Sequence, residues 1–467
     1  MIMDRREFVQ GVGAAVGMTL LGTSASGRTW SFNRTSRPSI LFIMTDQQSV
    51  DAMSWRLGSK YLDTPAMDDL ASKGTIFTHA YTANPLCVPC RTSIFTGFYP
   101  HQTQVETNSD INKPLAGKVK HMGTMFKEAG YDTGYVGKWH MAFPAKDPSA
   151  HGFDFMRSIK NNGIDQEIPG GAEEFLSIKR EKPFLLVTSF VNPHNICEWA
   201  RNDKLPDGEL GMPPALDQCP PAVGNLMPMH DEADVIPLIR KSYQNNRLFP
   251  VGNFNEKKWR EYRWAYYRLI ERVDGLIGNV IQSLKDSGHY EDTVIVFTSD
   301  HGDMQGAHGW NQKTVLFEEA IRVPFIISEP EKRNKTMNDG LVNTGVDILP
   351  TLCDYAGITL PANYPGVSVK DGKKDREYIV VENKMIQGDP VDGVKPEPSG
   401  RMVRSKRFKY SIYDMGKRNE SLVDVENDPG ETVNLAEKTE YRQELERHRQ
   451  FLAEWKRSTK DSFVVPE

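Results

Sequence analysis

Only five of 467 residues are cysteine: Cys87, Cys90, Cys197, Cys219 and Cys353. So sparse and odd a set excludes a disulfide-built scaffold, and the last three stand singly, offering no second pair to complete a zinc site with Cys87 and Cys90. An excess of charge of one sign is also missing. The 57 Lys and Arg against 62 Asp and Glu leave a formal charge of -5, without the whole-molecule basic field of a nucleic-acid binder. Nucleic acid is therefore not an expected partner, and an anionic ligand needs a local cationic pocket. No apolar stretch reaches the length of a membrane span, and no repeat or low-complexity tract is present. What is there is ordinary globular composition, 39% hydrophobic and 25% charged, in a chain long enough for one large domain and a smaller one.

At the N-terminus, Arg5-Arg6-Glu7-Phe8 precedes a Gly- and Ala-rich apolar run from Val9 to Leu21, then small residues from Gly22 to Gly27. The run is too short to span a bilayer and too rich in glycine for a stable anchor helix. Residues 1–30 read as a twin-arginine export signal, cleaved between about residues 25 and 37. No cysteine follows the run to carry a lipid. The expectation is a periplasmic or secreted protein that uses the twin-arginine machinery and keeps no stable membrane anchor.

Ser39 to Thr45 is continuously apolar in its middle, as a strand buried on both faces of a parallel sheet must be, and it stops at Asp46-Gln47. Thr293 to Ser299 repeats the design and stops at Asp300-His301. Asp132 to Val136 leads to Gly137-Lys138-Trp139-His140, and Phe184 to Phe190 leads to Val191-Asn192-Pro193-His194. Four strands thus deliver polar groups at their carboxyl ends, the edge where open α/β sheets bind ligands. Helical segments separate them: Pro65 to Lys73 and above all Trp259 to Leu284, whose apolar residues recur at helical spacing and form core. Residues 193–254 carry many Pro, Gly, Asn and Asp and read as a long loop region over the site. After Gly366 the pattern shifts to short strands, Glu377 to Val381, Met402 to Ser405, Phe408 to Tyr413 and Ser421 to Val425, then a charged helix from Thr439 to Lys456. The fold class is α/β, with a catalytic domain over 37–370 and a small antiparallel α+β subdomain over 371–467.

The most informative stretch is Cys87-Val88-Pro89-Cys90-Arg91, followed by Thr92-Ser93-Ile94-Phe95-Thr96-Gly97. Its Cys-x-x-Cys spacing is also that of a redox dithiol or half a zinc site. Taken singly, Asp46 and Asp300 read as helix caps, Lys138 as a surface lysine, His194 as a turn histidine and Lys313 as a solvated loop residue. Their joint order reads differently. Asp46-Gln47, the Cys87 motif, Lys138-Trp139-His140, Pro193-His194, Asp300-His301-Gly302 and Lys313 resemble the type I, formylglycine-dependent sulfatases of the alkaline-phosphatase-like superfamily.

That resemblance implies a large mixed sheet flanked by helices, with a smaller C-terminal sheet. It implies that a separate formylglycine-generating enzyme oxidises Cys87, the one cysteine with Pro89 and Arg91 at the required offsets, to an aldehyde whose hydrate is the nucleophile. Cys90 stands where the family usually has Ser, Thr or Ala. One Ca2+, with Mg2+ as the alternative, is expected on Asp46, Gln47, Asp300 and His301; many relatives carry Asp and Asn where this chain has Gln47 and His301. Arg91 and Lys138 would neutralise charge. Attack at sulfur would give a sulfated hemiacetal while His194 or Lys313 protonates the leaving alcohol, and His140 would then deprotonate the second hydroxyl and expel sulfate. The implied substrate is a sulfated small molecule or glycan, with a sulfated carbohydrate expected. The alternatives are a phosphodiesterase or phosphonate monoester hydrolase on the same fold, and an unconverted binding protein. Once Cys87 is converted, four thiols remain to pair, Cys197 with Cys219 for example. His308, Arg401 and Arg404 are further candidates for the substrate site. His79, His101, His121 and His230 default to structural or surface roles.

Overall fold

A strand without a polar residue from Ile40 to Met44 has no face to give to water. Ser39–Asp46 (β1) is accordingly buried from end to end. The computed structural model of the protein describes residues 37–464 apart from 116–118, 162 and 373–375; the export signal expected at residues 1–30 lies outside them. Around β1 are arranged Thr75–Tyr81 (β2), Asp132–Lys138 (β3), Phe155–Ile159 (β4), Phe184–Pro193 (β5), Thr293–Ser299 (β6), Phe325–Ser328 (β7) and Thr336–Asn343 (β8), in the order β4-β3-β5-β1-β6-β7-β2-β8. Every pairing is parallel except the two made by β7, so the sheet is mixed.

The four strands read as ending in polar groups are consecutive neighbours, β3-β5-β1-β6. Asp46 pairs with Pro193 and Thr45 with Ser299, which brings the four strand ends to one edge. Alternate side chains of β1 divide the core. Leu41 and Ile43 face the helix Glu256–Asp286, while Ile40, Phe42 and Met44 face the layer holding the helices Cys87–Thr96 and Thr344–Tyr355. In the long helix, capped by the Asn255 side chain accepting from Lys258 N, Tyr262, Tyr266, Leu269, Ile270, Val273 and Ile277 are buried as their spacing predicts.

A second sheet, Ile379–Lys384 (β9), Ser399–Arg404 (β10), Phe408–Tyr413 (β11) and Glu420–Asp424 (β12), is wholly antiparallel and covered by the helix Arg442–Thr459. The described residues form one compact unit. The reading of residues 193–254 as loop needs correction. Ile196–Arg201 and Val235–Gln244 are helical, and the latter buries Val235, Ile236, Ile239 and Tyr243 on one face. Pro237 sits in its first turn, where a missing N–H costs no intrahelical bond.

Candidate active site

Each strand end is shaped locally to present its side chain. Gln47 after β1 (φ 71°) and His140 after β3 (φ 42°) adopt the left-handed region, as do Gln312 (59°) and Thr314 (85°) on either side of Lys313. Such conformations cost non-glycine residues energy and concentrate at functional sites. Gly137 precedes Lys138 with φ 116°, and a Cβ there would lie 2.0 Å from Ser189 O. Gly302 follows His301, and its Cβ would meet Glu319 O at 1.9 Å. Both positions demand glycine for close approach.

Arg91, on the helix that Cys87 begins, organises the floor. Its Nε donates to Asp300 Oδ2 at 2.8 Å and its Nη2 to Asp46 Oδ2 at 2.9 Å, while Nη1 donates to Lys138 O at 3.1 Å and Ser189 Oγ at 2.8 Å. Lys138 Nζ approaches Asp46 Oδ2 to 2.5 Å as an ion pair without hydrogen-bond alignment. The other oxygen of each carboxylate faces His301 Nε2, at 3.9 Å for Asp46 and 3.6 Å for Asp300. His301 Nδ1 is turned to Gly302 O at 3.1 Å, which leaves Nε2 directed inward, 3.2 Å from Cys87 Sγ.

One ligand atom each from Asp46, Cys87, Asp300 and His301 lies within 4.8 Å of the others. Two carboxylate oxygens and an imidazole nitrogen suit a hard divalent cation, so three of the four expected ligands fit the group. Gln47 is held differently. Its Oε1 accepts from Lys313 Nζ at 2.5 Å and its Nε2 donates to Asp303 Oδ2 at 2.7 Å. To ligate a cation, Gln47 must share its carbonyl oxygen with the Lys313 ammonium.

Burial would raise the Asp46 carboxyl, but Lys138, His194, Arg91 and Lys313 hold it well below its ordinary value. Asp300 goes the other way, up to about 6, through burial and the neighbouring Asp46 charge. Burial and Asp46 oppose ionisation of Cys87, yet Lys313, Lys138 and His301 outweigh them and lower its thiol well below normal. Lys313 is raised, because Cys87, Cys197 and the two carboxylates overcome the cost of burial. Burial and the two lysines push His194 down to about 4, and burial with Lys138 and Arg91 lowers His140. Asp46, Cys87, Arg91, Lys138, Asp300, His301 and Lys313 are buried, whereas His140 and His194 are half-buried, each with an unpartnered Nδ1.

Residues 38–358 match the family described as Sulfatase, and residues 306–458 match that described as N-sulphoglucosamine sulphohydrolase, C-terminal. The chain belongs to the sulfatase family. It is a sulfuric ester hydrolase, on an alkaline-phosphatase-like fold. A Δ4,5-hexuronate-2-O-sulfatase from Bacteroides thetaiotaomicron is 31% identical over 96% of this chain and 93% of its own length. The solved structure of a 2-O GAG sulfatase, 28% identical, superposes with a TM-score of 0.77 over 92% of this chain and 95% of that one. The phosphonate monoester hydrolase of Agrobacterium radiobacter, 20% identical, shares the fold at a TM-score of 0.70 over 91% of this chain and 96% of its own.

In this sulfatase all five cysteines are free thiols, so Cys197 and Cys219 are not paired. Cys197 instead contacts Gln47 Nε2 at 3.5 Å. The smaller-domain arginines are engaged elsewhere: Arg401 makes two bonds to Asp461, at 2.8 and 3.0 Å, and Arg404 Nε donates to Tyr81 OH at 2.9 Å. His308 is buried and stacks on Phe317 at 4.0 Å between centroids. His101 pairs with Glu382, and His121 is buried among aromatic rings. Sequence reasoning missed Asp303, which orients Gln47 and also accepts from Tyr262 OH at 2.9 Å. Its place three residues after Asp300 was the available signal.

Proposed function

We propose that this sulfatase hydrolyses the sulfate ester of a sulfated glycan through a formylglycine made from Cys87, with a divalent cation on Asp46, Asp300 and His301 and with Gln47 as a further ligand. The observation that carries the reading is the meeting of Cys87 with those three ligands, with Lys138 paired to Asp46 and the Lys313 charge acting on Cys87. When bound, the cation and the aldehyde hydrate supply a polarised sulfate oxygen and an acidified hydroxyl nucleophile. Ca2+ fits an oxygen-rich site, and the imidazole of His301 keeps Mg2+ and other metals under test.

The chain's own residues divide the proton work. Lys313, held cationic, has a proton to give to the departing alkoxide. His194, pushed down to about 4, is neutral near pH 7 and serves to hydrogen-bond the substrate. The neutral His140 accepts a proton at its unpartnered Nδ1. Arg91 and Lys138 keep charge balanced around Asp46 and Asp300. The likeness to a hexuronate-2-O-sulfatase and a 2-O GAG sulfatase supports a uronate 2-O-sulfate as the first ester to test. Export through the twin-arginine route, proposed from Arg5-Arg6 and the run after it, would carry the enzyme out already folded and modified.

The test is protein co-produced with a modifying enzyme and loaded with Ca2+ or Mg2+. The Cys87 peptide should show aldehyde mass, and sulfate should be released from a 2-O-sulfated unsaturated uronate disaccharide. Release should vanish in Cys87→Ala and after chelation. Faster cleavage of a matched phosphonate or phosphodiester would overturn the sulfate reading, and Cys87 left as a thiol in the native organism would overturn the mechanism.

A further inference from the structure

The hydrolysis proposed above uses a converted Cys87 and leaves Cys90 without a chemical part. Cys87 is the first residue of the helix Cys87–Thr96, and Cys90 completes its first turn, its N–H bonding Leu86 O at 3.0 Å. Helical positions i and i+3 share a face, and helix geometry puts their Cα atoms about 5 Å apart, within the roughly 4.4–6.8 Å that a disulfide spans. Pro89 occupies a position in the first turn where its missing N–H costs nothing.

The two sulfurs turn to adjacent residues just after β6. Cys87 Sγ lies 3.2 Å from His301 Nε2, and Cys90 Sγ lies 2.8 Å from Asp300 O. Thr82 Oγ1 is the other close polar neighbour of Cys90, at 2.9 Å. These are weak, exchangeable thiol contacts, and a rotation of each side chain toward the other breaks no backbone bond.

We propose that, in the chain whose Cys87 is still a thiol, Cys87 and Cys90 form a reversible disulfide that withholds Cys87 from conversion. The oxidant is a small disulfide, RS–SR. The Cys87 thiolate attacks it, forming a mixed disulfide and releasing RS–. Cys90 then loses its proton and attacks the Cys87 sulfur, forming the internal bond and releasing a second RS–. The two cysteines are oxidised by two electrons and the oxidant leaves as two RSH, carrying the two protons. The withholding rests on the formylglycine reading; formation of the bond does not.

The experiment uses the full chain produced without a modifying enzyme, treated in its folded state with oxidised glutathione and then alkylated. The peptide containing Cys87 and Cys90 is expected to lose two hydrogens and to regain them on reduction with dithiothreitol. Cys90→Ser keeps a donor for Asp300 O but no second sulfur, so it should stop at a glutathione adduct on Cys87. Two alkylated thiols in the wild type, or a lasting glutathione adduct there, would overturn the bond.

For the withholding, wild type and Cys90→Ser are each co-produced with a modifying enzyme in a reducing and in an oxidising cytoplasm. The aldehyde fraction should fall in the oxidising host for wild type alone. An equal fall in both proteins, or none in either, would overturn it. A chain that forms the disulfide yet hydrolyses no sulfate ester after conversion sinks the proposed function and leaves this one standing.

Discussion

Lys313 Nζ donates to Gln47 Oε1 at 2.5 Å, across 266 positions of sequence. The bond fixes which end of the amide faces the site and continues a line of contacts from Lys313 through Gln47 to Asp303 and Tyr262. Lys313 is thereby held in place with a proton to give.

Lys313→Ala should slow release of a sugar sulfate by about 10²–10⁴-fold, the usual contribution of a general acid. A 4-nitrophenyl sulfate, whose leaving group departs without a proton, should lose far less. Steady-state rates on the two esters decide it, and equal losses on both would remove Lys313 from the donor role.

Arg91 bridges two buried carboxylates with aligned hydrogen bonds, so Arg91→Met leaves Asp46 with Lys138 and removes the guanidinium from Asp300. Breaking a buried ion pair from one side costs about 3–5 kcal/mol. Denaturant unfolding of the chelated protein should show a loss of that order. Arg91→Lys offers a single point charge that cannot serve both acids with aligned bonds, and it should fall between the two.

His121 is buried against Phe95, Trp139, Phe143 and Phe153, accepts from Gly123 N at 3.2 Å, and is pushed by burial down to about 3. Its folded form excludes the proton that the unfolded form takes up near its ordinary 6.5. Stability from this group is therefore complete above pH 6.5 and drains as pH falls toward 3, at up to about 1.4 kcal/mol per pH unit. His121→Asn keeps a capping acceptor and removes the titration. Unfolding free energies between pH 8 and pH 5 should be lower for the variant at pH 8 but change less with pH; parallel curves would contradict this.

Asp274, on the long helix, accepts from Ala66 N and Met67 N at 3.0 and 2.8 Å and so caps the helix Pro65–Ser72, whose own Thr64 makes no side-chain cap. Asp274→Ala should cost about 1–3 kcal/mol, the penalty for leaving such donors unmet. Asp274→Asn, which retains an acceptor, should cost less by thermal or denaturant unfolding, with sulfatase turnover unchanged in both.

The strands that could be read from sequence are those with no water-facing side. β1 and β6 announce themselves by uninterrupted apolar runs, and their neighbours β3 and β5 by the polar groups that follow them. β4 lies at the sheet edge with Arg157 and Ser158 exposed, and β7 is only four residues long; neither has the length or pattern to stand out. The helix Val235–Gln244 was hidden by Pro237 and by the irregular composition around it. At the site, ordered motifs picked out residues that the fold brings together, but the partner relations did not follow. Gln47 had no visible link to Lys313, nor Arg91 to Ser189, because each contact joins segments far apart in sequence that only the assembled sheet brings together.

The C-terminal sheet is also fastened to both sides of the reaction centre. Glu382 N on β9 donates to Ala83 O, just ahead of the Cys87 helix, and Asn383 Nδ2 donates to Thr314 O, next to Lys313. A subdomain with that attachment is not a free module. Exchanging it between relatives to alter substrate choice would move the segments that carry Cys87 and Lys313 together, so a working chimera must import its β9 with a matched pair of segments.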